Sequence, residues 1–146
     1  MIQGRDFLTL AETWIKAATE AEWRFAVSRA YYAAFHEARR LLRSLGFQVP
    51  RGDQAHAYLW LRLSNCGDPS TVLAGSDLNR LRRERNRADY DVEQPFDHAY
   101  GLVQVQAAQR IIQTLDTAAH DPTRTQITDA MKIYEGDVLK QVTWQP

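Results

Sequence analysis

Between its glycine and proline breaks the chain places apolar residues at helical spacing, and nowhere with the strict alternation of a strand. That pattern leaves a bundle of helices as the architecture to expect. The breaks fall at Gly46, Pro50, Gly52, Gly67, Pro69, Gly75, Pro95 and Pro122. A first helix is expected near residues 5–19, with Phe7, Ala11, Trp14 and Ala18 on one side. A long second helix, about 22–45, repeats Val27, Tyr31, Ala34, Ala38, Leu41 and Leu45 at steps of four and three. A third covers about 53–65, and a fourth about 76–91 with Ser76 as its N-cap. A fifth runs from about 96 to 119 through Phe96, Tyr100, Val103, Ala107, Ile111, Leu115 and Ala118. A sixth follows with Ile127, Met131, Tyr134 and Val138. The pattern predicts an all-α, antiparallel up-and-down bundle of five to six helices, the second and fifth being the longest. Residues 1–121 form the bundle and residues 122–146 a helical extension packed on it.

The chain has 146 residues, enough for one domain with a real core and short of what two would need. No apolar run approaches the roughly 20 residues that span a bilayer. The first ten residues, "MIQGRDFLTL", lack the basic-then-apolar order of a secretory signal. Together these predict a cytoplasmic protein without membrane association. The lone Cys66 allows neither an internal disulfide nor a cysteine zinc site. No Gly-rich phosphate loop, Gly-x-Ser-x-Gly elbow or His-Glu-x-x-His pair is present, so neither a metal nor a cofactor is expected.

Charge is balanced overall, with 18 basic and 18 acidic residues, but it is not spread evenly. Five arginines fall within residues 80–87, and only three of the 18 basic residues are lysines. Arginine offers a planar fork suited to phosphate and carboxylate, although high-GC codon usage gives the same bias. On the fourth helix Leu78, Leu81, Arg85 and Ala88 share a stripe, so Arg85 stands where an apolar residue belongs. A guanidinium there needs a partner: a facing surface, or an acid such as Asp89 one turn on. Arg80, Arg83 and Arg87 share another face, either solvated or on phosphate. On the second helix Arg29, His36, Arg40 and Arg43 form one stripe with Tyr32 beside it. Arg40 and Arg43 read as a polar face available to RNA. Arg29 and His36 sit among small and aromatic residues, where a half-buried, hydrogen-bonded pair is expected.

"SRAYYAAFHEARRLL" at residues 28–42 and "LRRERNRADYDV" at 81–92 together resemble the HEPN family, and within it the small prokaryotic proteins often encoded beside a minimal nucleotidyltransferase. The likeness covers roughly residues 5–119. It implies a helical bundle that forms a homodimer. It also implies a setting in RNA-directed defence or toxin–antitoxin biology, and, in active members, a metal-independent endoribonuclease site at the dimer cleft. The signature of that site is an Arg followed by a polar residue, then a His after four to six intervening positions. Arg85 and Asn86 match its start. The histidine would fall at 90, 91 or 92, where this chain has Tyr90, Asp91 and Val92. Metal-free RNA cleavage needs a base for the 2′-hydroxyl and an acid for the leaving oxygen, which His provides near pH 7 and Tyr does poorly. Arg85 alone can still bind phosphate.

Two readings therefore stand. In one, the chain is a non-catalytic or weakly active module binding RNA, nucleotide or a nucleotidyltransferase partner. In the other it is an active ribonuclease whose site combines Arg85, Asn86 and Tyr90 with Arg29 and His36. Asp89 is expected to pair with Arg85 or Arg29 and to serve stability. The pair Arg51 and His56 satisfies the bare spacing but straddles a loop, and is read as coincidence.

Overall fold

The computed structural model describes residues 1–146 and contains six α-helices: α1 (Gly4–Trp14), α2 (Glu20–Leu45), α3 (Gln54–Ser64), α4 (Pro69–Tyr90), α5 (His98–Ala118) and α6 (Thr123–Tyr134). A short π-helical turn, Glu135–Leu139, extends α6. The one strand-like contact is an isolated bridge between Phe47 and Trp144. No helix is long and apolar enough to cross a membrane.

α2, α4 and α5 each start on a side-chain cap. Thr19 accepts from the Glu22 amide at 3.3 Å ahead of α2, and Asp97 from the Tyr100 amide at 2.7 Å ahead of α5. Each cap satisfies one of the orphan amides of a first turn. α2 ends on Gly46 in the left-handed region at φ 109°, a conformation that glycine reaches without strain. A side chain at 46 would also meet the Trp144 indole nitrogen at 2.6 Å.

α2 is the central element and packs against α1, α4 and α5, while α3 lies mainly on α4. Its apolar stripe explains why. Ala26, Ala30, Ala33, Ala34 and Ala38 are sealed from solvent and let neighbouring helices come close. Tyr31, Leu42, Leu59, Leu63, Leu78, Leu81, Ile111, Ile127 and Met131 fill the space between them.

Three expectations need correction. α1 stops at Trp14 and not near 19, and the segment before α2 runs through turns and bends. The fourth helix starts at Pro69, seven residues before Ser76, with Asp68 as its N-cap accepting from the Thr71 amide at 3.1 Å and the Thr71 hydroxyl at 2.7 Å. Proline suits the first helical position because its missing N–H would be unpaired there in any case. Gly75 is thus inside a helix. It serves packing: a Cβ at 75 would lie 2.6 Å from the Ser64 amide nitrogen and 2.8 Å from Leu63 Cβ, so glycine lets α3 and α4 touch. As a result α4, with 22 residues, is longer than α5, with 21, and α2 with α5 are not the two longest.

The C-terminal residues close over the ends of α2 and α3. Ile127 and Met131 of α6 join the main core. Glu135, fully buried, accepts from Arg62 Nε at 2.8 Å, the Thr143 amide at 2.9 Å and the Trp144 amide at 3.1 Å. The Trp144 indole donates to the Leu45 carbonyl at 2.8 Å, and Lys132 lies over its ring at 3.6 Å.

Candidate functional site

Arg85 is buried, 8% exposed, in the stripe with Leu78, Leu81 and Ala88. Its guanidinium lies against two rings of α2, 5.5 Å from the centre of Tyr31 and 5.3 Å from that of Tyr32. Its nearest acid is Asp89 at 3.8 Å, the outer limit of an ion pair, and its Nε is sealed without a partner. The Asp89 carboxylate accepts a hydrogen bond from Ser28 at 3.2 Å, and Ser28 in turn accepts one from Arg29 at 3.3 Å. Arg29 spreads over Phe7, Phe25 and Tyr32 at 5.2–5.5 Å. Tyr32 is therefore flanked by both guanidinia, and cation–π contact replaces the carboxylates a buried arginine usually finds.

The remaining candidates are distributed around this centre. His36 stacks on Phe7 at 5.3 Å and stands 6.3 Å from Tyr32. Burial, then the Arg39 charge, pulls its pKa below the ordinary imidazole value. Arg40 and Arg43 are exposed, and Arg40 pairs with the buried Glu37 at 3.2 Å. Asn86 is half-buried beside Arg85. Tyr90 is 71% exposed. Five positions along α4 turn it about 140° from Arg85, and it lines an open depression with Arg83, Arg87, Glu84, Asp91 and Glu93. Arg80 pairs with Asp77 at 2.6 Å, and Arg87 donates to the Tyr100 hydroxyl at 3.3 Å. The structure thus gathers Arg85, Tyr32, Arg29 and Asp89, sets His36 at their edge, and leaves Tyr90 on a different face of mixed charge.

Residues 3–118, most of the chain, match the model of the HEPN domain. The chain belongs to the HEPN domain family. No curated protein and no solved structure gives a significant match. Membership carries a nucleotide- or RNA-related role in general, and dimerisation is common among HEPN domains.

Three residues of this HEPN domain have surroundings that no spacing in the sequence reveals, and the first overturns the reading of position 56 as mere coincidence of spacing. His56, on α3, is buried and hydrogen-bonded through Nδ1 to the Tyr31 hydroxyl. Its ring lies 4.8 Å from that of Phe35 and 5.6 Å from that of Tyr31. Burial lowers its pKa, and the charges of Arg82 and Arg85 lower it further. Arg82, half-buried, makes no ion pair, and its Nε is sealed and unpartnered. No spacing rule links position 56 to 85, because the two meet only when α3 folds onto α4. The third is Arg24, 9% exposed, which donates to the carbonyls of Arg87 at 3.2 Å, Ala88 at 3.0 Å, Asp91 at 3.3 Å and Gln94. It caps the C-terminus of α4, where a cation offsets the helix dipole. The polar spacing of α2 gave no hint of that contact.

Next to this cluster the surface is cationic. Burial and the nearby Arg43 and Arg51 charges push the Arg39 pKa down. A depression of about 490 Å³ between the start of α1 and α2 is lined by Phe7, His36, Arg39, Arg40 and Arg43, with no acid among its lining residues.

Proposed function

We propose that this HEPN domain is a non-catalytic or weakly active module that binds RNA or nucleotide through the arginine-rich surface of α2, the α2–α3 connection and α4. A homodimer that buries α4, an optional minimal nucleotidyltransferase partner, and a place in defence or toxin–antitoxin biology belong to the same reading. One observation carries it: Arg39, Arg43, Arg51 and Arg82 make no ion pair, and Arg85 finds only a distant one, in a chain whose acids equal its basic residues in number. Cations left without carboxylates in a neutral protein suit a polyanion. Tyr90, at the position where a motif histidine would stand, is exposed and turned off the Arg85 face, which argues against an efficient acid–base pair on α4.

The test is one preparation assayed twice in EDTA, for retardation of single-stranded RNA and for its integrity. Intact, retarded RNA supports the reading. Metal-free cleavage that disappears in Arg85→Ala would replace it with an endoribonuclease. Neither retardation nor cleavage would leave a surface that docks protein.

A further inference from the structure

We propose that Arg82, Arg85 and the Nε2 edge of His56 form a phosphate-binding site at the junction of α2, α3 and α4. The inference rests on the nucleotide or RNA reading above and names the group that this surface grips.

Arg85 is more than nine-tenths buried, yet its Nε has no partner and its only acid stands 3.8 Å away. Arg82, one helical turn earlier and so on the same side of α4, repeats the situation with a sealed, unpartnered Nε and no ion pair. Two guanidinium groups with unfilled donors are costly to keep from water unless an anion completes them. His56, on α3, rests on the ring of Tyr31, and the Arg85 guanidinium lies 5.5 Å from the centre of the same ring. Its Nδ1 is engaged by Tyr31, its ring rests against Phe35 and Tyr31, and Nε2 has no hydrogen bond in the chain and is not sealed from solvent.

The protonation states fit. Burial raises the Tyr31 pKa well above the usual phenol value, so its hydroxyl keeps its proton and can donate to Nδ1. With that bond donated by Tyr31, the imidazole proton sits on Nε2 as a donor. The lowered pKa of His56 leaves the ring neutral at pH 7 while the site is empty. The groups acting on it are Tyr31 and Phe35 from α2, Asp53 at the N-cap of α3, and Arg82 and Arg85 from α4. Asp53 and Asp89 equal the two guanidinium groups in number, but Asp89 stands 3.8 Å from Arg85 and Arg82 has no ion pair, so the forks stay open. Two planar forks and one N–H, arriving from two helices, match the several oxygens of a phosphate better than the two of a carboxylate. The source of that phosphate is either the terminal monoester of a nucleotide or a backbone diester of RNA.

The experiment follows the His56 imidazole by 15N NMR in the full chain. The added probes are inorganic phosphate, a 5′-mononucleotide and a single-stranded RNA with a 5′-hydroxyl. The expected result is a shift of the Nε2 resonance and a raised His56 pKa. The mononucleotide acting alone assigns a terminal phosphate, and the 5′-hydroxyl RNA acting assigns a backbone phosphate. Arg82→Gln, at a half-buried position, should weaken the response about tenfold, with the melting curve as a check on folding. Should that variant not fold, the wild-type titration still decides. A His56 signal that stays still with all three probes overturns the site. If RNA is retarded while His56 stays still, the phosphate site fails and the RNA reading survives. If phosphate moves His56 while RNA is not retained, the RNA reading fails and the site stands.

Discussion

Arg62 and Arg85 are both buried, and the chain treats them in opposite ways. Arg62, 3% exposed, meets the Glu135 carboxylate at 2.8 Å, donates to the Tyr58 carbonyl at 3.2 Å, and lies over the Tyr58 ring at 3.4 Å. Glu135 is itself completed by the amides of Thr143 and Trp144. Every charge in that corner has its counterpart, and the C-terminal residues are fastened to α3 as a result. Arg85 rests on two tyrosine faces with an acid at the limit of reach, and Arg82 beside it has none. A closed ion pair holds a fold together, whereas an open one of similar burial leaves binding capacity for something outside the chain. The two corners should respond differently to the loss of one residue.

The largest effect is expected at the closed corner. Glu135→Gln keeps the shape but leaves Arg62 as a lone buried charge, a loss of about 3–5 kcal/mol that chemical denaturation would register. Arg85→Ala should change stability far less, by about 1 kcal/mol or under, because little within the chain completes that charge. Equal losses at the two sites would break the comparison.

The same corner should set an acid limit to stability. Burial pushes the Glu135 pKa up, but hydrogen bonds from Thr143, Arg62 and Trp144 outweigh it and hold the carboxyl below its ordinary 4.5. A lowered carboxyl pKa stabilises the fold above the unfolded value and loses that contribution as pH falls through the folded one. Stability should therefore decline below about pH 4.5, and Glu135→Gln should remove that part of the decline.

Arg24→Ala is expected to cost less, about 1–3 kcal/mol, by leaving the final carbonyls of α4 uncapped. Hydrogen exchange should speed up selectively at the last turn of α4 and at residues 91–94. Asp89→Ala should cost about as little as Arg85→Ala, about 1 kcal/mol, since its side chain is 30% exposed and its pairing with Arg85 is long. A melting temperature lowered as far as in Glu135→Gln would mean that Arg85 is closed after all.

Much of this was legible in the order of residues, for definite reasons. Helical spacing along α2 and α5 announces itself locally, since apolar faces repeat within one element. The misplaced charge of Arg85 was visible in the same way, as a break in the stripe of Leu78, Leu81 and Ala88. Gly75 is ambiguous in sequence because glycine both ends helices and lets them touch, and only the approach of Ser64 decides which. His56 gives no such signal, because its relation to Arg85 runs across two helices and has no spacing to detect. Arg24 and Glu135 have the same difficulty, since their partners, the Ala88 carbonyl and the Arg62 side chain, lie far away in the chain.

The account depends most on the open arginines meeting phosphate. Its most direct measurement is the affinity of the purified chain for single-stranded RNA across a salt series in EDTA, with Arg82→Gln and Arg85→Ala beside the wild type. With about three or four phosphate contacts, log affinity should fall against log salt with a slope near -2 to -3. Both variants should bind more weakly and with a flatter slope, and the RNA should stay intact. Affinity indifferent to salt, or the same in all three proteins, would contradict the account.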